Sequence, residues 1–283
     1  MKNKIFIPVD IPQKIQELFL KNYQSIVNKK GNLFLFAADQ KIEHLHDDLA
    51  GPTLPEEIAD PEHFFKIAKK GKIGAFATQL GLIAKYGKDY PEIPYIVKLN
   101  SKTNVVPAKH DDPLSSLLWD VEDVVTFKEN SGLNICGIGY TLYLGSLYEE
   151  EMLSQAAQVV FQAHQNGLVA ILWVYPRGKH IKHERDPHIL AGATGVAACL
   201  GADFVKIQTP QRIDKSLQEV VRSAGRTKVI CAGGPSKKED SFLKDLEKQV
   251  SVGKINGFAI GRNIFQKTLK EAINLTKKIA KIL

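Results

Sequence analysis

The chain has 283 residues, 44% of them hydrophobic and 24% charged, so it can bury a large core and does not read as a disordered polymer. Its net charge of +7 points to an anionic partner, but the lysines are scattered and no basic block with interleaved aromatics occurs, which argues against nucleic acid. No run reaches the roughly 18 apolar residues of a membrane helix and residues 1–8 lack a leader pattern, so a cytoplasmic protein with no membrane partner is expected.

Residues 11–30 read as an amphipathic helix: Asp10 caps it, Pro12 suits its first turn, and Ile15, Leu18, Phe19, Tyr23, Ile26 and Val27 recur at helical spacing. Gly31 stops it, which makes 1–31 a helical extension ahead of the rest. Continuous apolar runs then start near 33, 73, 95, 135, 168, 203, 228 and 257, between 22 and 40 residues apart, with helix-like material between most of them. The fourth is expected over 135–140. The clearest helix opens at Glu149-Glu150-Glu151, whose acids suit the positive end of the helix dipole, and it ends at Gly167. A closing helix is expected from Ile264 to Leu283.

Strands apolar on both faces that alternate with helices imply a parallel sheet covered on both sides. Eight such units imply an α/β fold, a (β/α)8 TIM barrel formed by a single domain, 1–283. An open doubly wound sheet is disfavoured, because no G-x-G-x-x-G opens a helix after a strand. Cys136, Cys199 and Cys231 lie far apart in apolar surroundings without CxxC spacing and read as core thiols.

In such a barrel the chemistry sits at the C-terminal ends of the strands. Asp39 ends the first strand, Lys98 and Asn100 the third, Tyr175 the fifth and Lys206 the sixth; Ala232-Gly233-Gly234-Pro235 follows the seventh and Gly261-Arg262-Asn263 the eighth. Lys206 lies in an apolar run, and burial pushes a lysine toward its neutral form, which is a nucleophile for carbonyls. A lysine snorkelling from a strand end is the plainer alternative. Gly233 and Gly234 let backbone N–H groups approach an anion, and Arg262 adds a charge-assisted bond, as in the phosphate sites that this fold builds after strands seven and eight. A neutral lysine beside a phosphate site points to a phosphorylated carbonyl substrate held as a Schiff base, with Tyr175 and Asp39 at the same mouth as proton carriers. Lys98 is either a second phosphate contact or a charge that helps to keep Lys206 neutral.

Through Trp173-Val174-Tyr175-Pro176-Arg177-Gly178, Gly201-Ala202-Asp203-Phe204-Val205-Lys206, Ala232-Gly233-Gly234-Pro235 and Gly261-Arg262-Asn263-Ile264-Phe265, the chain resembles the archaeal-type class I fructose-bisphosphate aldolases; Tyr143-Leu144-Gly145-Ser146 adds to the likeness. The resemblance implies that Lys206 forms the Schiff base, that Tyr175 is the acid/base beside it, and that Asp39 assists proton transfer at the hydroxyl of the cleaved bond. It further implies that Trp173 lines the substrate site and that Gly233, Gly234, Gly261 and Arg262 hold a substrate phosphate. The implied reaction is cleavage of fructose 1,6-bisphosphate to dihydroxyacetone phosphate and glyceraldehyde 3-phosphate, without cofactor or metal, in a homo-oligomer such as a ring or decamer. Gln40 departs from the pattern, since the family usually has a histidine after the aspartate. A glutamine bonds a hydroxyl or a phosphate but carries no proton near neutral pH, so the far half of the substrate stays open. His44, His46, His180, His183 and His188 lie in polar stretches without partners at ligand spacing, which argues against zinc. The rival readings are a related Schiff-base enzyme of the same barrel, making a dideoxyheptulosonate or acting as a thiolase on a phosphorylated signal, and a barrel that binds a sugar phosphate without turnover.

Overall fold

A strand that is apolar at every position has no face for water and must be covered on both sides. Eight such strands meet that need by closing on themselves: β1 (Leu33–Ala37), β2 (Ala75–Gln79), β3 (Tyr95–Lys98), β4 (Ile135–Leu144), β5 (Val169–Pro176), β6 (Phe204–Ile207), β7 (Lys228–Ala232) and β8 (Gly257–Ile260). The computed structural model describes residues 5–106 and 112–283, and within them the strands pair in parallel in the closed order β1-β8-β7-β6-β5-β4-β3-β2. Helices follow most strands, so the expected (β/α)8 barrel is the fold. The basic start of the chain (1–4) and part of the polar stretch at 100–113 (107–111) lie outside the described residues. Among the described residues no helix is long and apolar enough to cross a membrane.

Alternate positions along each strand divide between two cores. Leu33, Leu35, Ile96, Ile171 and Phe204 pack in one cluster with the N-terminal helix, inside the barrel, while Phe34, Phe36, Val97, Val205 and Ile207 belong to the layer under the outer helices. The helix Gln16–Ile26 plugs the N-terminal end of the barrel: Phe19, Tyr23 and Ile26 join the inner cluster, and the Tyr23 ring stacks 5.2 Å from Phe204.

Three local expectations are corrected. Asp10 does not cap the N-terminal helix, which begins in a 3-10 turn at Gln13–Ile15 with no side-chain cap. The fourth strand runs on to Leu144, because it keeps pairing with β5 as far as Pro176. The closing helix is split into Arg262–Phe265 and Leu269–Ile282, the second opened by a capping box of Thr268 and Glu271.

Asp10 serves the fold in another way. His164, fully buried in the helix Glu149–Gln165, has Nδ1 2.8 Å from Asp10 and Nε2 3.3 Å from Asp203, whose carboxylate also accepts the Ala170 N–H at 2.8 Å. Burial lowers the His164 pKa, but the hydrogen bonds and charges of Asp203 and Asp10 outweigh it and raise the value to about 9. Burial pushes Asp203 toward its neutral form, against the pull of His164. With a carboxylate on each ring nitrogen, His164 is held as the imidazolium. Its folded pKa lies above the ordinary value of ~6.5, so the stability it supplies is complete below about pH 6.5 and is lost as pH rises toward 9. Urea unfolding of the wild type is therefore expected to weaken over that interval by up to about 3 kcal/mol. His164→Gln should be less stable at pH 6 and nearly flat between pH 6.5 and 9; a parallel pH profile for the two proteins would refute the assignment.

Candidate active site

The side chain of Lys206 points down the barrel axis because it alternates with Val205 and Ile207, which pack outward, and shares its face with Phe204. Its register neighbour on β5 is Trp173, and Nζ lies 5.0 Å from the indole centroid. The indole has room only because residue 139 is glycine: a Cβ there would stand 2.3 Å from the ring. Lys98 reaches the same indole from β3, at 5.7 Å.

These two lysines are equally buried, each 3% exposed, yet they are held differently. Lys98 Nζ donates to the Asn100 side-chain oxygen at 2.6 Å and to its backbone carbonyl. Asn100 is itself pinned, donating to Ser115 and Thr141 carbonyls and accepting the Thr141 N–H. No such clamp holds Lys206, for which no hydrogen bond is found among the described residues. Burial lowers the pKa of both; Asp39 and Glu43 oppose it in each case. Lys98 falls to about 8, with Lys206 adding to the fall, while Arg262 adds to the depression of Lys206. Lys98 is thus no phosphate contact: it is committed to Asn100 and lies outside the cavity that Lys206 faces.

That cavity, about 290 Å³, opens at the C-terminal ends of the strands and brings together Asp39, Trp173, Tyr175, Lys206, Gly233, Gly234, Gly261 and Arg262. Of the strand-end residues singled out in the sequence, Lys98, Asn100 and Asn263 are not among those that line it. Asp39 caps no helix with its side chain; its Oδ1 is buried without a hydrogen-bond partner, as are Gln40 Oε1 and Trp173 Nε1. Buried polar atoms are nearly always paired, so three orphans around one cavity mark a surface built to meet a polar ligand. Gln40 lines the same cavity beside the turn after β8. Its amide rests against Gly261, where a Cβ would stand 2.7 Å from Oε1 and 2.4 Å from the Ala37 carbonyl.

The phosphate turns differ from expectation in one detail. The Gly233 N–H is spent on the Ala259 carbonyl at 3.1 Å, closing the ladder between β7 and β8. Gly234 takes the left-handed φ of +69° with open space beside it, and Asn263 clamps the turn by donating to the Gly233 and Pro235 carbonyls. Arg262 stands 3.7 Å from Asp48, which is paired with His44.

Sequence reasoning missed the layer behind Tyr175. Burial raises the Tyr175 phenol well above its usual pKa; Asp39 and Glu43 reinforce this, and Arg177 and Arg262 oppose it. The Arg177 guanidinium lies 5.8 Å from the Tyr175 ring and 5.6 Å from that of Tyr143, whose hydroxyl donates to Glu43 at 3.0 Å. Tyr143 and Arg177 belong to the motifs Tyr143-Leu144-Gly145-Ser146 and Trp173-Val174-Tyr175-Pro176-Arg177-Gly178 without a role assigned there, and only the pairing of β4 with β5, which Arg177 directly follows, supplies one. His180, His183 and His188 are exposed, and among the described residues no group of three or more His, Cys, Asp or Glu side chains could hold a metal. A larger crevice of about 920 Å³ at the opposite end of the barrel, beside Phe6, Tyr23 and Arg226, contains none of the candidate residues.

Comparison with known proteins agrees with this geometry. The DeoC/LacD family aldolase pattern matches residues 33–267. The chain is 52% identical over 280 residues to the fructose-bisphosphate aldolase/6-deoxy-5-ketofructose 1-phosphate synthase of Methanocaldococcus jannaschii, covering 98% of this chain and 90% of that protein. It is 31% identical over 269 residues to the class 1 fructose-bisphosphate aldolase of Thermoproteus tenax, covering 95% and 94%. Among solved structures, a fructose-bisphosphate aldolase from Slackia heliotrinireducens superposes with a TM-score of 0.96 at 45% identity, over 100% of this chain and 90% of that one. An archaeal fructose-1,6-bisphosphate aldolase with its catalytic lysine covalently bound to the carbinolamine intermediate superposes at 0.80 with 30% identity, over 93% and 98%. The chain therefore belongs to the DeoC/LacD family of aldolases and, among them, to the archaeal-type class I fructose-bisphosphate aldolases.

Proposed function

We propose that a single barrel domain, with 1–31 as its helical extension, cleaves and forms the C3–C4 bond of fructose 1,6-bisphosphate through a Schiff base on Lys206. The observation that carries this is a buried amine without a hydrogen-bonded clamp, its charge disfavoured by burial, facing one cavity with an orphaned carboxylate and a phenol.

The neutral amine of Lys206 adds to the C2 carbonyl, and loss of water with uptake of one proton from solvent leaves a protonated imine. As the C3–C4 bond breaks, its electron pair moves into C3–C2 and onto the imine nitrogen, giving an enamine. Asp39 Oδ1 takes the proton of the C4 hydroxyl, so the aldehyde departs neutral at that oxygen. Tyr175, held protonated by its raised pKa, gives a proton to C3, and water then releases dihydroxyacetone phosphate. The Gly234 turn, Gly261 and Arg262 hold the C1 phosphate, and Trp173 supports the reacting carbons. The family resemblance supports a cytoplasmic homo-oligomer, which light scattering would test.

Borohydride reduction in the presence of dihydroxyacetone phosphate should add one ketone half to the peptide containing Lys206 and to no other. An unmodified Lys206 peptide, or full activity in Lys206→Met, would sink the mechanism. Tyr175→Phe should lower kcat by about 10²–10⁴ while the reduced adduct still forms, since its task follows imine formation. A barrel that only binds sugar phosphates would show neither the adduct nor triose phosphate products.

A further inference from the structure

We propose that a chamber behind the phosphate turn is a second anion site, which binds a small phosphorylated polyol and performs no chemistry on it. Lys206, Tyr175, Asp39 and Arg262, the groups given to the aldol reaction and its C1 phosphate, do not line this chamber.

The chamber measures about 250 Å³, close to the 290 Å³ of the active cavity, and the two share the turn Gly233-Gly234-Pro235 as a wall. On its far side runs the helix Glu239–Ser251, where Phe242, Asp245 and Gln249 recur at the three- and four-residue spacing of one helical face. Gln249 is 2% exposed, and its Oε1 is buried without a hydrogen-bond partner among the described residues. An unpaired buried amide costs stability that a leucine of like volume would not, so packing does not account for a glutamine here.

Four charged side chains line the chamber: Arg185, Lys237, Asp245 and Lys248. Asp245 pairs with Lys237 at 2.8 Å, whereas Arg185 and Lys248 have no ion-pair partner among the described residues. Three cations against one carboxylate leave a formal charge of +2, which a phosphate dianion matches. Phe242 and Ile213 offer an apolar backing for a short carbon skeleton. The Gln249 oxygen only accepts, so it calls for a donor such as a hydroxyl. The turn between the two cavities is already set for such a ligand. Asn263 accepts the Lys237 N–H at 3.0 Å and donates to the Gly233 and Pro235 carbonyls, which fixes the chamber wall before anything binds.

Glycerol 3-phosphate is a suitable probe, because it is a phosphorylated polyol with no carbonyl for Lys206 to attack. The active cavity of the wild type is first filled by borohydride reduction with dihydroxyacetone phosphate, and the product is titrated by calorimetry. One equivalent of glycerol 3-phosphate per chain should still bind, and Lys248→Gln and Gln249→Leu should each weaken that binding about tenfold without changing the yield of adduct. Lys248 is exposed, so its replacement leaves the fold intact. No binding to the filled wild type, or equal binding by the wild type and both variants, overturns the proposal. A wild type that takes up no ketone half sinks the Schiff-base reading alone. The comparison is then made in Arg262→Gln, whose substrate phosphate site is weakened: a tenfold loss on adding Lys248→Gln supports the second site, and no loss overturns it.

Discussion

The cost of burying an amine governs this molecule. An ammonium ion taken out of water must find partners or give up its proton. The barrel applies both solutions against one indole, with Lys98 Nζ 5.7 Å and Lys206 Nζ 5.0 Å from its centroid. Lys98 receives a saturated asparagine clamp and stays where it is put, whereas Lys206 receives an aromatic surface, distant carboxylates and a cavity. The charges around Lys206 act on it in opposite senses. Asp39 and Glu43 pull toward the ammonium while burial and Arg262 push toward the amine, which suits a group that must be nucleophile first and cationic imine later.

The two ends of the barrel divide the labour. The C-terminal end gathers orphaned polar atoms, left-handed glycine turns and paired charges around an open cavity. The N-terminal end is closed by a helix whose aromatic side chains complete the inner core, and its buried polar group, His164, is satisfied on both nitrogens. Unsatisfied groups are thus concentrated where a ligand binds, and the opposite end is the stabilising one.

Most of the architecture was legible in the sequence, because strands buried on both faces read as unbroken apolar runs and the rule that sites sit at strand ends converts those runs into candidates. Lys206, Tyr175 and Asp39 were found that way. What escaped depends on partners distant in the chain. Asp10 looked like a helix cap until the fold brought it to His164, and Glu43 was one acid in a polar loop until Tyr143 and Arg177 closed on it. Lys98 could not be assigned without knowing that Asn100 would turn back and saturate it. Gln40 left the far half of the substrate open, and its contact with Gly261, where a glycine admits its amide, depends on a residue distant in the chain.

The indole that carries both lysines occupies space lent by Gly139 on the neighbouring strand. Positions 139 and 173 are therefore one unit of sequence change. Any side chain at 139 displaces the indole and with it the floor beneath Lys206, whereas a smaller residue at 173 would leave a hole that a larger residue at 139 could refill. A change in the floor of the site therefore calls for paired substitutions across β4 and β5.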